Sequence, residues 1–107
     1  MTNFSDREAA FESKFARDEE MQFRITARRN KLVGLWAAEK MGMTAVEAAP
    51  YATSVVQADF EEAGDDDVVR KIVGDLGAAG VETDAAAVTA ILAEKTVEAR
   101  RQLMESQ

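Results

Sequence analysis

Histidine and cysteine are both missing from the 107-residue chain, and proline, tryptophan and tyrosine each occur once. Without the first two, the chain cannot supply an imidazole base, a thiolate nucleophile or the usual ligands of a structural zinc. Lack of cysteine also excludes disulfides, which fits a reducing compartment. No apolar run approaches the about 18 residues of a membrane span. The opening Met1-Thr2-Asn3-Phe4-Ser5-Asp6 has no basic stretch leading into an apolar one. A soluble cytoplasmic protein with no direct membrane insertion is therefore expected. The formal charge of −7 argues against broad adhesion to nucleic acid or anionic lipid, although a local basic patch can still act. Nothing resembles an activated nucleophile or a poised acid and base pair, so neither an enzyme nor a cofactor nor a metal is expected.

What is present favours helices. Alanine dominates the apolar residues, aromatics make up only 7%, and no strand-like alternation competes. A chain of this length forms one domain that buries roughly two thirds of its surface. The spacing predicts a first helix from about Ser5 to Lys40 or Met41, stopped by Gly42. Thr44-Ala45-Val46-Glu47 has the form of a capping box and starts a second helix, with a kink or restart near Pro50 before continuation to Ala63. Gly64 and the run Asp65-Asp66-Asp67 separate it from a third helix, roughly Asp66 to Ala78, weakened by Gly74 and Gly77. A last helix runs from about Asp84 to Met104, with Val88, Ile91, Leu92, Ala99 and Leu103 on one face. The expected fold is all-α: a small four-helix bundle with a long first helix whose N-terminal part projects or is flexible.

The projection follows from length and phase. At about 1.5 Å per residue the first helix is roughly 50 Å long, against about 20 to 30 Å for its neighbours. Taking about 100° per residue, Phe4, Phe11 and Phe15 fall within about 20° of one line, while Met21, Ile25, Leu32 and Trp36 cluster roughly 70° away. The simplest division makes Met21, Ile25, Leu32 and Trp36 core and leaves residues 1–18 as a mobile arm, with a bundle domain over 19–107. Burying three phenylalanines contributes about 5 to 9 kcal/mol, comparable with the about 4 to 15 kcal/mol that association costs. Charged neighbours such as Arg7, Glu8, Glu12, Lys14, Arg17 and Asp18 would then set register and partner choice. The competing arrangement folds the arm back so that its phenylalanines complete the core.

"REAAFESKFARDEE", "RITARRNKLVGLWAAEKMG" and "ADFEEAGDDDVVRK", in this order, resemble the zeta subunit of alphaproteobacterial F-type ATP synthases, a family of small ATPase inhibitors. The similarity covers nearly the whole chain, is strongest from Phe4 to Met43 and from Tyr51 to Lys71, and weakens after Gly80; Pro50 departs from the family pattern. The resemblance implies a four-helix bundle whose N-terminal segment enters the catalytic interface of the ATP synthase head, formed by its alpha, beta and gamma subunits, and blocks rotation in the hydrolytic direction. It implies an inhibitory segment from Phe4 to about Asp18, with Phe4, Phe11 and Phe15 as apolar anchors. Arg7, Lys14 and Arg17 would be ion-pair partners, and Glu12 and Asp18 lie within the segment. The protein would be monomeric when free and peripheral to the inner membrane through the ATP synthase.

Three further features admit two readings each. Arg24, Arg28 and Lys31 recur at helical spacing with Arg29 beside them, and suit either an anion such as a nucleotide phosphate or a solvated face paired with Glu20. The acidic run Glu61, Glu62, Asp65, Asp66 and Asp67 lacks the ligand spacing of a calcium loop and reads as helix capping. Trp36 with Leu35 and Leu32 reads as the main core anchor rather than a binding hot spot. Outside the inhibitor reading, a general helical interaction module and a nucleotide- or anion-responsive regulator remain as alternatives.

Overall fold

The structure, a computed structural model, describes residues 4–59 and 64–105, with side chains from residue 19 onward. Four helices and no strand make up the described residues: α1 (Phe4–Lys40), α2 (Ala45–Ala58), α3 (Asp66–Ala78) and α4 (Ala85–Glu105). The punctuation of the sequence explains these boundaries. After α1, Gly42 takes a left-handed φ of 76°, and the Met43 amide donates to the Ala38 carbonyl at 3.0 Å. Gly80 closes α3 in the same way, with φ 81° and Val81 donating to Leu76 at 2.8 Å. In both places glycine removes the Cβ penalty and satisfies carbonyls the helix leaves open.

The N-termini are capped by side chains. Thr44 Oγ1 accepts from the Glu47 amide while Glu47 accepts from the Thr44 amide at 2.9 Å, the reciprocal box expected for α2. The Thr44 amide first, and then the Thr44 hydroxyl, hold the exposed Glu47 carboxyl below the ordinary carboxylate range. Asp84 Oδ1 accepts from the Ala87 amide at 2.8 Å at the start of α4. No restart occurs at Pro50: α2 runs unbroken from Ala45 to Ala58 with Pro50 inside it. Proline there deprives the Val46 carbonyl of its helical partner, and Val46 is 84% exposed in the opening turn, where the loss is least costly because solvent has access. α2 ends at Ala58 with Asp59 as its C-cap, short of the expected continuation to Ala63; residues 60–63 lie outside the described ones.

α1 packs against each of the other three helices, whereas the backbones of α2 and α4 do not approach each other closely among the described residues. The core comprises Val33, Ala37, Val55, Val68, Ile72, Leu76, Val88 and Leu92. This corrects the predicted core of α1. Of the expected line only Ile25 is buried; Met21, Leu32 and Trp36 are half-buried, and Leu35 is 37% exposed. The buried face instead carries Asn30, Val33, Gly34, Ala37 and Ala38, centred about 160° round the helix from the expected line. The reason is steric. α1 and α2 approach so closely that a Cβ on Gly34 would stand 2.7 Å from Ala52 Cα, so small residues occupy the seam and Trp36 packs at its border.

Candidate functional site

The length of α1 defines the first candidate region. Its 37 residues correspond to about 55 Å, whereas the 21 residues of α4 correspond to about 30 Å. Arg28 Nη1 donates to Gln102 Oε1 at 3.1 Å, which sets the last turn of α4 beside the middle of α1. α4 ends three residues later, so the earlier turns of α1 continue past it, and the molecule extends 65 Å along its long axis. Phe4, Arg7, Phe11, Glu12, Lys14, Phe15, Arg17 and Asp18 all occupy these overhanging turns of helical backbone. Their side chains lie outside the described ones.

A groove opens at the base of the overhang. Because the backbones of α2 and α4 flank α1 without approaching each other closely, a cavity of about 380 Å³ is left over α1, lined by Phe23, Arg24, Ala27, Arg28, Lys31, Val56 and Leu103. Its walls are mainly apolar, and the cations stand at its edge. Arg24 is also bonded to Glu20 at 2.7 Å, and Arg28 to Gln102. The basic ladder is therefore split. Arg24, Arg28 and Lys31 share the groove, while Arg29 turns inward and is only 7% exposed.

Inside the bundle Arg29 has a defined task. Its Nε and one Nη donate to Asn30 Oδ1 at 3.0 and 2.8 Å, and the same Nη meets Asp65 Oδ1 at 2.9 Å. The pair ties α1 to the first turn of α3. Asp65 thus departs from the expected capping role: it sits at the N-cap position of α3 with no side-chain cap bond. A buried guanidinium without an anion is far costlier than an N-terminus left to solvent, so Asp65 serves Arg29. Asp66 and Asp67 remain in the first turn of α3, as the helix dipole favours. Glu61 and Glu62 lie outside the described residues.

A second polar cluster joins α2 to α3. Tyr51 donates its hydroxyl to Asp75 Oδ2 at 2.7 Å, Lys71 reaches the same oxygen at 3.0 Å, and the Lys71 ammonium lies 5.2 Å from the Tyr51 ring centre. Burial first, then the Asp75 bond and charge, raise the phenol well above its ordinary value. The phenol stays protonated as a donor, and the cluster reads as a fastening between helices. No group of three or more side chains able to hold a metal ion occurs among the described residues, nor does a helix long and apolar enough to cross a membrane. Sequence reasoning placed the basic ladder and set Leu103 on one face of the last helix, but missed Phe23, Val56 and their meeting with Leu103, which comes only when α1, α2 and α4 assemble.

The family described as ATPase inhibitor subunit zeta matches residues 1–102 of the chain. Comparison with curated proteins finds no match. Among solved structures, one determined by NMR in solution is 48% identical and superposes with a TM-score of 0.72. The alignment covers 81% of this chain and 99% of that one.

Proposed function

The chain belongs to the ATPase inhibitor subunit zeta family, which makes it an inhibitor subunit of an ATP synthase and points away from an enzyme; from this we propose that it brakes hydrolysis with the N-terminal part of α1. The segment 1–18 acts as the inhibitory arm and 19–107 as the bundle that carries it. The arm enters the catalytic interface of the synthase head, between alpha and beta subunits and near gamma, and lodges there as a wedge. A helix lodged between subunits whose relative motion drives turnover stabilises one rotational state, and hydrolysis stalls in it. Phe4, Phe11 and Phe15 supply the buried anchors, while Arg7, Glu12, Lys14, Arg17 and Asp18 set register through ion pairs. The free protein is a monomer, and it is peripheral to the inner membrane only through the synthase.

The observation that supports this reading is the mismatch in reach: α1 outruns every helix that packs on it. Among the described residues the buried ones begin at Ile25, so with residues 1–18 deleted a folded helical domain is expected to remain. That variant should lose inhibition of ATP hydrolysis by the cognate head, and full-length Phe11→Ser/Phe15→Ser should lose it too. Inhibition retained by both would reject the arm as the brake.

A further inference from the structure

The groove at the foot of the overhang is not needed for a wedge at the tip, yet its composition is that of a docking site. We propose that it holds a second segment of the synthase head: an acidic stretch of chain that presents an apolar side chain between carboxylates. This deepens the inhibitor reading and rests on it.

Three observations point to that occupant. In a chain of net charge −7, Arg24, Arg28 and Lys31 gather three cations along one face of α1, at the rim of one cavity. Lys31 is exposed and has no ion pair among the described residues, so one rim charge awaits a partner. Ala27, Val56, Leu103 and Phe23 complete the lining, which gives the groove apolar surface that a docked side chain desolvates. A cationic rim around an apolar floor selects a segment of complementary design: the carboxylates steer and fix register, and the apolar group is desolvated.

Position adds a reason. Ladder positions 24, 28 and 31 lie roughly opposite the line of Phe4, Phe11 and Phe15 on α1, by helical register. A helix gripped on both faces is held in rotation as well as in depth. The two contacts are also joined through one rod, so binding of the first raises the effective concentration of the second.

The test uses full-length protein and the cognate synthase head, measuring dissociation constants at two ionic strengths alongside inhibition of hydrolysis. Arg28→Glu and Lys31→Glu are each expected to weaken binding about fivefold or more and to flatten its salt dependence. Phe23→Ser should weaken binding with the salt dependence kept. All three should still reach full inhibition at saturation, which Phe11→Ser/Phe15→Ser should not. Lys40→Glu makes the same change in net charge at the far end of α1 and should stay within about twofold of the parent chain. Binding unchanged in the three groove variants, or an equal loss in Lys40→Glu, overturns the proposal. If the parent chain binds without inhibiting, the brake reading falls while the affinity ratios still judge the groove; if it does not bind at all, both fall.

Discussion

Adding one methyl group at Gly34 separates helix preference from helix packing, because the two act there in opposite directions. Alanine is favoured over glycine by about 0.8–1.0 kcal/mol in a helix interior, so an uncrowded site gains stability from the change. At Gly34, however, the new Cβ meets Ala52 Cα at 2.7 Å and Ala52 Cβ and Val55 Cγ2 at 3.2 Å. The nearest of these atoms is backbone and cannot rotate aside. α1 and α2 must part by about 0.7 Å to restore ordinary contact, and that loosens the seam that includes Ala37, Ala38 and Val55. Overpacking of this kind costs about 1–3 kcal/mol. A backbone obstacle at 2.7 Å puts the cost in the upper half of that range, so net of the propensity gain Gly34→Ala is expected to lose about 1–2 kcal/mol, a fall in Tm of about 5–15 °C for a domain of this size. Gly74 in α3 supplies the control, since a Cβ there meets nothing within 4 Å. Gly74→Ala should gain about 0.5–1 kcal/mol. Both variants are read by thermal and urea unfolding followed by far-ultraviolet circular dichroism. A Gly34→Ala chain as stable as the parent, or shifted upward like Gly74→Ala, would refute close helix approach as the reason for glycine at this position.

Two further expectations concern the polar fastenings. Arg29→Ala should destabilise the fold by about 2–3 kcal/mol, less than for a fully buried pair because the Asp65 side chain is 52% exposed. Arg29→Lys should recover less than half of that in urea titrations, since an ammonium lacks the planar fork that serves Asn30 and Asp65 together. Tyr51→Phe should cost about 1 kcal/mol through loss of the Asp75 bond. Because folding raises the phenol, its contribution is complete below the ordinary value of 10.0 and is lost as pH rises through the raised one. Tyr51 is the only tyrosine, so phenolate absorbance reports it alone; a native midpoint at or below 10.0 would contradict the buried bond.

Apart from the C-terminal end of α2, which falls at Ala58 and not Ala63, the ends of the helices were legible because they are written in residues with one local job. Gly42, Thr44 with Glu47, Gly80 and Asp84 each satisfy backbone groups within a few positions, so their meaning does not depend on the rest of the fold. The face of α1 was not legible, because the residues that decide it are the smallest. Gly34, Ala37 and Ala38 carry little hydropathic weight, and the larger Leu32, Leu35 and Trp36 outvote them in any periodicity argument. Arg29 misled for a similar reason: charge suggests solvent until Asp65, on another helix, is known to face it. Half of the groove was visible as the basic ladder. The other half, Val56 and Leu103, belongs to segments remote in sequence.

α1 is helical without interruption from Phe4 to Lys40. Having neither proline nor any glycine before Gly34, it has no elbow between tip and base. Such a rod behaves as a lever whose fulcrum is the bundle. Whatever grips the blunt end also aims the point, and a twist applied at one end is delivered at the other instead of being absorbed along the way.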